Sequence, residues 1–153
     1  MPTIQWEVKP FRQLSVDGLF EVLKLRVDVF VVEQACAYPE LDDRDLEARH
    51  LSGHNELGQL VAYARLLPPG LCFPEVNLGR FVVKAEFRKQ GVGHQLLQKA
   101  LQECSRCWSK IPIRIFAQDY LQAFYKQHGF LRVSEVYLED GIPHVEMVKE
   151  ARL

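Results

Sequence analysis

Apolar residues recur every three or four positions along two stretches of the chain and cluster along several shorter ones. Within residues 14–31 they are Val16, Leu19, Phe20, Leu23, Val27 and Phe30. That spacing keeps them on one face of a helix, and Ser15 is placed as its N-cap. The clearest helix follows residue 91. There Val92, Leu96, Leu97, Ala100, Leu101, Cys104 and Trp108 share a face, and Lys110-Ile111-Pro112 ends it. A shorter helix is predicted over residues 121–128, with Gly129 as its C-terminal cap.

Strands are predicted over residues 50–54 and 59–67, around the turn Asn55-Glu56-Leu57-Gly58. Others are predicted over 75–83, 113–116, 131–138 and 144–149. Leu67-Pro68-Pro69-Gly70 breaks the chain. Residues 38–49, rich in Pro, Asp and Glu, read as a loop with at most a short helix, and Asp42-Asp43-Arg44-Asp45 as a solvated run that could attract a cationic amine. The order of elements predicts an α/β fold of the mixed α+β kind, a mixed sheet with helices on both faces. With no repeat, low-complexity tract or linker, residues 1–153 read as one domain.

The junction of strand and clearest helix carries the chemistry. Leu78-Gly79-Arg80-Phe81-Val82-Val83 leads into Arg88-Lys89-Gln90-Gly91-Val92-Gly93, and then into the helix. Glycines let the backbone turn tightly and approach a ligand closely. The helix start adds unpaired amides and a partial positive charge. With Arg88 and Lys89 this suits a diphosphate. A Walker loop would need Lys-Ser/Thr after the second glycine, and His94-Gln95 stand there. A dinucleotide fingerprint would need a third glycine, and Leu96 occupies that place.

Arg88-x-x-Gly91-x-Gly93 resembles the pyrophosphate loop of the GNAT N-acetyltransferases, which bind acetyl-coenzyme A. Phe124-Tyr125-Lys126-Gln127-His128-Gly129-Phe130 is similar to the tyrosine-bearing helix that follows in that family. Residues 25–34 (Leu-Arg-Val-Asp-Val-Phe-Val-Val-Glu-Gln) and Glu139-Asp140-Gly141-Ile142-Pro143-His144 resemble the ElaA subgroup, so the likeness spans nearly the whole chain.

The resemblance implies the GNAT fold, with a central, mostly antiparallel sheet. It implies acetyl-CoA as co-substrate, and direct transfer to a primary amine in a ternary complex. The amine would belong to a small molecule, a peptide or a lysine. Cofactor binding maps to Arg88, Lys89, Gln90, Gly91, Val92, Gly93 and His94, mainly through backbone amides, and to Phe81, Val82 and Val83 on the preceding strand. Gln118 stands where many members have an asparagine. Tyr125 is the candidate general acid: a phenol, protonated at neutral pH, can donate to a departing thiolate. Glu33 and His144 are the candidate bases, with Glu146 beside the latter. Two other readings stay open: a coenzyme A-binding sensor without catalysis, and an acyltransferase related to acyl-homoserine lactone synthases. A homodimer is expected from family habit alone.

Composition narrows the remaining classes. Net charge is -1, with 48% hydrophobic and 25% charged residues. No global basic field draws the chain to nucleic acid. No apolar run reaches the roughly 20 residues of a membrane span, and the N-terminus lacks a signal layout. A cytoplasmic location is expected. Cys36, Cys72, Cys104 and Cys107 read as free thiols. Cys104-Ser-Arg-Cys107 lacks a second pair or a His cluster and reads as buried helix face. No metal is expected.

Overall fold

A computed structural model of the chain describes residues 2–151. The first strand, β1 (Gln5–Pro10), was not anticipated from the sequence. Its short alternation of Trp6 and Val8 with Gln5, Glu7 and Lys9 only becomes meaningful beside β2 (Arg49–His54), its antiparallel partner.

The helix expected over residues 14–31 divides. Ser15 caps α1 (Val16–Arg26), accepting from the Gly18 amide at 2.9 Å. From Val27 to Glu33 the turn widens to π-type. β3 (Leu60–Leu67) and β4 (Val76–Val83) fall where the apolar runs place them. So do α2 (Val92–Cys107), β5 (Ile113–Gln118) and the short α3 (Gln122–Lys126). Gly129 closes α3 with φ 94, a left-handed turn that glycine adopts without steric cost. The strand expected over 131–138 is split into β6 (Leu131–Arg132) and β7 (Tyr137–Glu139). Both pair with β8 (Ile142–Lys149).

The strands form one eight-stranded sheet in the order β1-β2-β3-β4-β5-β8-β6, with β7 also on β8. Only β4 and β5 are parallel. Helices cover both faces. Val92, Leu96, Leu97, Ala100 and Cys104 of α2 pack with Tyr125 and Phe130 against the main apolar cluster. Val22, Leu25 and Val29 pack with Leu60, Tyr63 and Val82 in a second cluster. The expected α/β architecture is therefore the observed one.

The acidic loop departs from expectation. Within residues 42–45 Asp43 and Arg44 are exposed, but Asp45 is buried, as is nearby Glu40. Arg26, 0% exposed, pairs with Glu40 at 3.0 Å and Asp45 at 2.8 Å. Arg65 adds contacts to Asp42 and Asp45. Burial alone would push the Asp45 carboxyl up, but hydrogen bonds and charge from Arg26 and Arg65 pull it down to about 2. The run is thus the anionic half of a buried ionic network. Arg26 lies between Val22, Leu25 and Val29 on the buried face of its helix. This is not the face the apolar spacing marked, since Val16 and Phe20 are exposed.

Candidate active site

The parallel pair β4–β5 is joined only at its start. Val76, Asn77 and Leu78 face Ile113, Arg114 and Ile115, and the pairing ends there. Beyond it β4 turns off. Its register against β3 moves from Val82↔Tyr63 to Gly79↔Arg65, three residues against two. One extra residue therefore makes a bulge, which bends the strand. Arg80 in the bulge has φ 51, a conformation costing an L-residue roughly 1–2 kcal/mol. Its guanidinium is held by the Glu40 carboxylate at 2.7 Å and the Glu40 carbonyl at 2.8 Å.

The diverging strands open a cleft of about 700 Å³. Phe81, Leu97, Ala117, Leu121 and Tyr125 line its inner part. Gly79 also lines it, and a Cβ there would meet nothing within 4 Å, which leaves room for a ligand against bare backbone. At the end of β4 the chain reaches the glycine loop. Gly91, with φ 84, is the residue from which α2 starts. A Cβ on Gly93 would approach nothing closer than the Phe124 ring at 3.7 Å. Protein packing therefore does not demand a glycine at 93. The missing Cβ leaves the first amides of α2 open to close approach.

The predicted site residues fall into three groups. Phe81, Gln118, Tyr125 and His144 line the cleft together. Gln118 and His144 are direct cross-strand partners on β5 and β8, so their side chains share a face. The next same-face row pairs Phe116 with Glu146. Val82 and Val83 continue β4 beside Tyr63 and Ala62, past the last β5 contact.

Residues 88–94 form the loop and the start of α2. Within them the His94 ring turns aside, its Nδ1 2.9 Å from His128 Nε2. The third group is Glu33 with Arg88. Glu33 is outside the cleft lining, its carboxylate gripped by both terminal nitrogens of Arg88 at 2.6 and 3.0 Å. Those hydrogen bonds hold its carboxyl below the usual range.

Tyr125 is 7% exposed and sits edge-on to Phe81, Phe124 and Phe130, with centroids 5.2–6.1 Å away. Burial pushes its phenol well above the ordinary value, so it stays protonated. His144 Nδ1 lies 2.7 Å from the Ile142 carbonyl, which only accepts. The Nδ1 nitrogen therefore donates, and Nε2 lies 3.5 Å from the Glu139 carboxylate, an ion pair when the ring is protonated. Phe73, Phe116 and Tyr137 also line the cleft. These rings were not singled out from sequence, because strands and loops distant along the chain bring them together.

Cys104 is buried, which pushes its thiol up to about 12, and Cys107 donates to Glu103 at 3.3 Å. Neither is an activated nucleophile. Among the described residues no group of three or more His, Cys, Asp or Glu is arranged to hold a metal. Among them no helix is long and apolar enough to cross a membrane.

Residues 24–151 match the model of the acetyltransferase (GNAT) domain. The crystal structure of an acyl-CoA N-acyltransferase from Pseudomonas aeruginosa superposes with a TM-score of 0.91 at 44% identity, covering 96% of this chain and 99% of that one. Escherichia coli ElaA superposes equally well, TM-score 0.91 at 42% identity, covering 97% and 100%. A Schizosaccharomyces pombe protein is 44% identical over 148 residues, 96% of this chain and 97% of its own. Sequence, fold and cleft agree: this chain is an ElaA-like acyltransferase and belongs to the GNAT acetyltransferase family.

Proposed function

We propose that the protein transfers the acetyl group of acetyl-CoA directly to a primary amine, with both substrates bound together in the cleft. The observation that carries this reading is the course of β4, which diverges from β5 to open the cleft beside protonated Tyr125 and then leads on to the loop of Gly91 and Gly93. The pyrophosphate sits against the first amides of α2, and the thioester arm follows the unpaired edge of β4 at Phe81, Val82 and Val83. A β4 amide there stabilises the charge developing on the carbonyl oxygen. Gln118 supports the arm from β5.

The amine enters over the face built from Phe116, Gln118, His144 and Glu146. An alkylammonium must lose a proton before it can attack. His144 Nε2 accepts it, directly or through water, and Glu139 stabilises the resulting imidazolium. The amine nitrogen bonds to the carbonyl carbon as the carbon–sulfur bond breaks. The attacking nitrogen gives up its second proton to solvent as the amide forms, while Tyr125 donates its proton to the sulfur and regains one from solvent. This assignment favours His144 over Glu33 as base, since Glu33 is held by Arg88 and outside the cleft.

The test is Tyr125→Phe, assayed by release of free coenzyme A thiol across a panel of amines. The three ring contacts survive, so the melting temperature should hold while the turnover number falls about 100-fold or more. Because burial raises the phenol's pKa, wild-type activity should not decline on its account up to about pH 10. An unchanged turnover number in the variant would make Tyr125 a packing residue. Coenzyme A binding without turnover on any amine would favour the sensor.

A further inference from the structure

Arg88 is the first residue of the glycine-loop motif, and a basic side chain there invites assignment to the pyrophosphate. Its side chain is already committed. Nε donates to the Val83 carbonyl at 2.8 Å, closing the turn of residues 83–88. Nη1 and Nη2 grip Glu33 in a fork of 2.6 and 3.0 Å. One guanidinium thus joins the end of β4, the start of the loop and the last residue of the π-type turn Val27–Glu33. Phe30 and Gln34, on either side of Glu33, line the cleft. A bidentate Arg–carboxylate pair fixes orientation as well as distance, which a lysine point charge does not.

We propose that Glu33 and Arg88 are positioning residues: together they brace the coenzyme A loop against the wall of the acceptor cleft, and Arg88 is not itself a phosphate ligand. The proposal rests on reading residues 88–93 as the coenzyme A cradle. Phosphate binding is left to the amides around Gly91 to His94, whose placement depends on where residue 88 is fixed. The side chains of Arg88 and Glu33 are 37% and 43% exposed. The brace is therefore a modest contribution, of the size of a well-formed surface pair.

Three roles for these residues predict different signs. If Arg88 bound phosphate, Glu33 would compete for it, and Glu33→Gln would tighten coenzyme A binding. If Glu33 were the base, Glu33→Gln would leave binding intact, lower the turnover number and alter its pH profile. The brace predicts weaker binding with turnover at saturation preserved.

The experiment measures the Kd of coenzyme A by calorimetry on the full chain, with acetyl-transfer kinetics alongside. The variants are Glu33→Gln, Arg88→Lys, Arg88→Gln and the double Glu33→Gln/Arg88→Gln. Thermal melts confirm that each is folded. Expected are a 3- to 5-fold rise in Kd for Glu33→Gln and for Arg88→Lys, and a double variant no worse than Arg88→Gln alone. Turnover at saturating substrates should stay within about twofold, with superimposable pH profiles. Tighter binding in Glu33→Gln, or full affinity retained in Arg88→Lys, overturns the brace. So does a fall in turnover with unchanged Kd. Wild-type protein that binds no coenzyme A would instead refute the cradle itself, a separate result.

Discussion

Asp45→Asn tests whether the buried ionic network holds its wall of the cleft together. One oxygen of Asp45 accepts from Arg26 at 2.8 Å and from Arg65 at 3.0 Å. The other accepts from Arg26 at 3.2 Å and from the Asp42 amide at 3.2 Å. An asparagine keeps the volume but removes the charge. Whichever way its amide turns, an NH2 group meets donors. Arg26, with no exposed surface, is left with Glu40 as its carboxylate partner among the described residues.

Breaking a buried pair on one side costs about 3–5 kcal/mol. For a chain of this length, where each kcal/mol moves the midpoint by roughly 2–4 °C, the melting temperature should fall by about 6–20 °C. The pH dependence has a definite sign. Asp45 titrates lower in the folded than in the unfolded chain. Its contribution is therefore full above about pH 4 and is lost as pH falls toward 2. Urea unfolding from pH 7 down to pH 3 should show a steeper loss of stability in wild type than in the variant. Asp43→Asn is the control: the same loop, exposed, and expected within about 0.5 kcal/mol of wild type. A loss below about 1 kcal/mol for Asp45→Asn, or two variants that behave alike, would refute the reasoning.

Gly93→Ala should separate stability from function. The added Cβ meets only ordinary contact at 3.7 Å, and replacing a helical glycine gains up to about 1 kcal/mol. The variant should melt no lower than wild type yet bind coenzyme A more weakly, as calorimetry would show. Gly91→Ala, with φ 84, should instead lose about 1 kcal/mol in urea unfolding. Native protein treated with a thiol reagent should leave Cys104 unmodified at pH 7–8, because the thiol is buried and raised to about 12; rapid labelling there would show that α2 opens.

Local patterns determined a good deal by themselves. The 3.6-residue repeats placed α1 and α2. The glycine loop was visible in Gly91, Gly93 and the missing third glycine, and coenzyme A as its expected ligand came from the resemblance of this loop and the Tyr125–Gly129 segment to the GNAT family. Helix periodicity, caps and turns act over a few residues, so they can be read along the chain.

Other features lie in relations between distant segments. β1 gains its meaning from pairing with β2. The acidic loop looked solvated because Arg26 and Arg65, its partners, lie 19 and 20 residues from Asp45. Gln118 and His144 became neighbours only through the β5–β8 register. Glu33 and Arg88, 55 positions apart, read in sequence as a base and a phosphate ligand, and the fold pairs them with each other. A charge in sequence declares what it can do. What it does is set by the partner that tertiary packing brings within about 3 Å, because hydrogen bonds form only at that contact distance and an ion pair is strongest there.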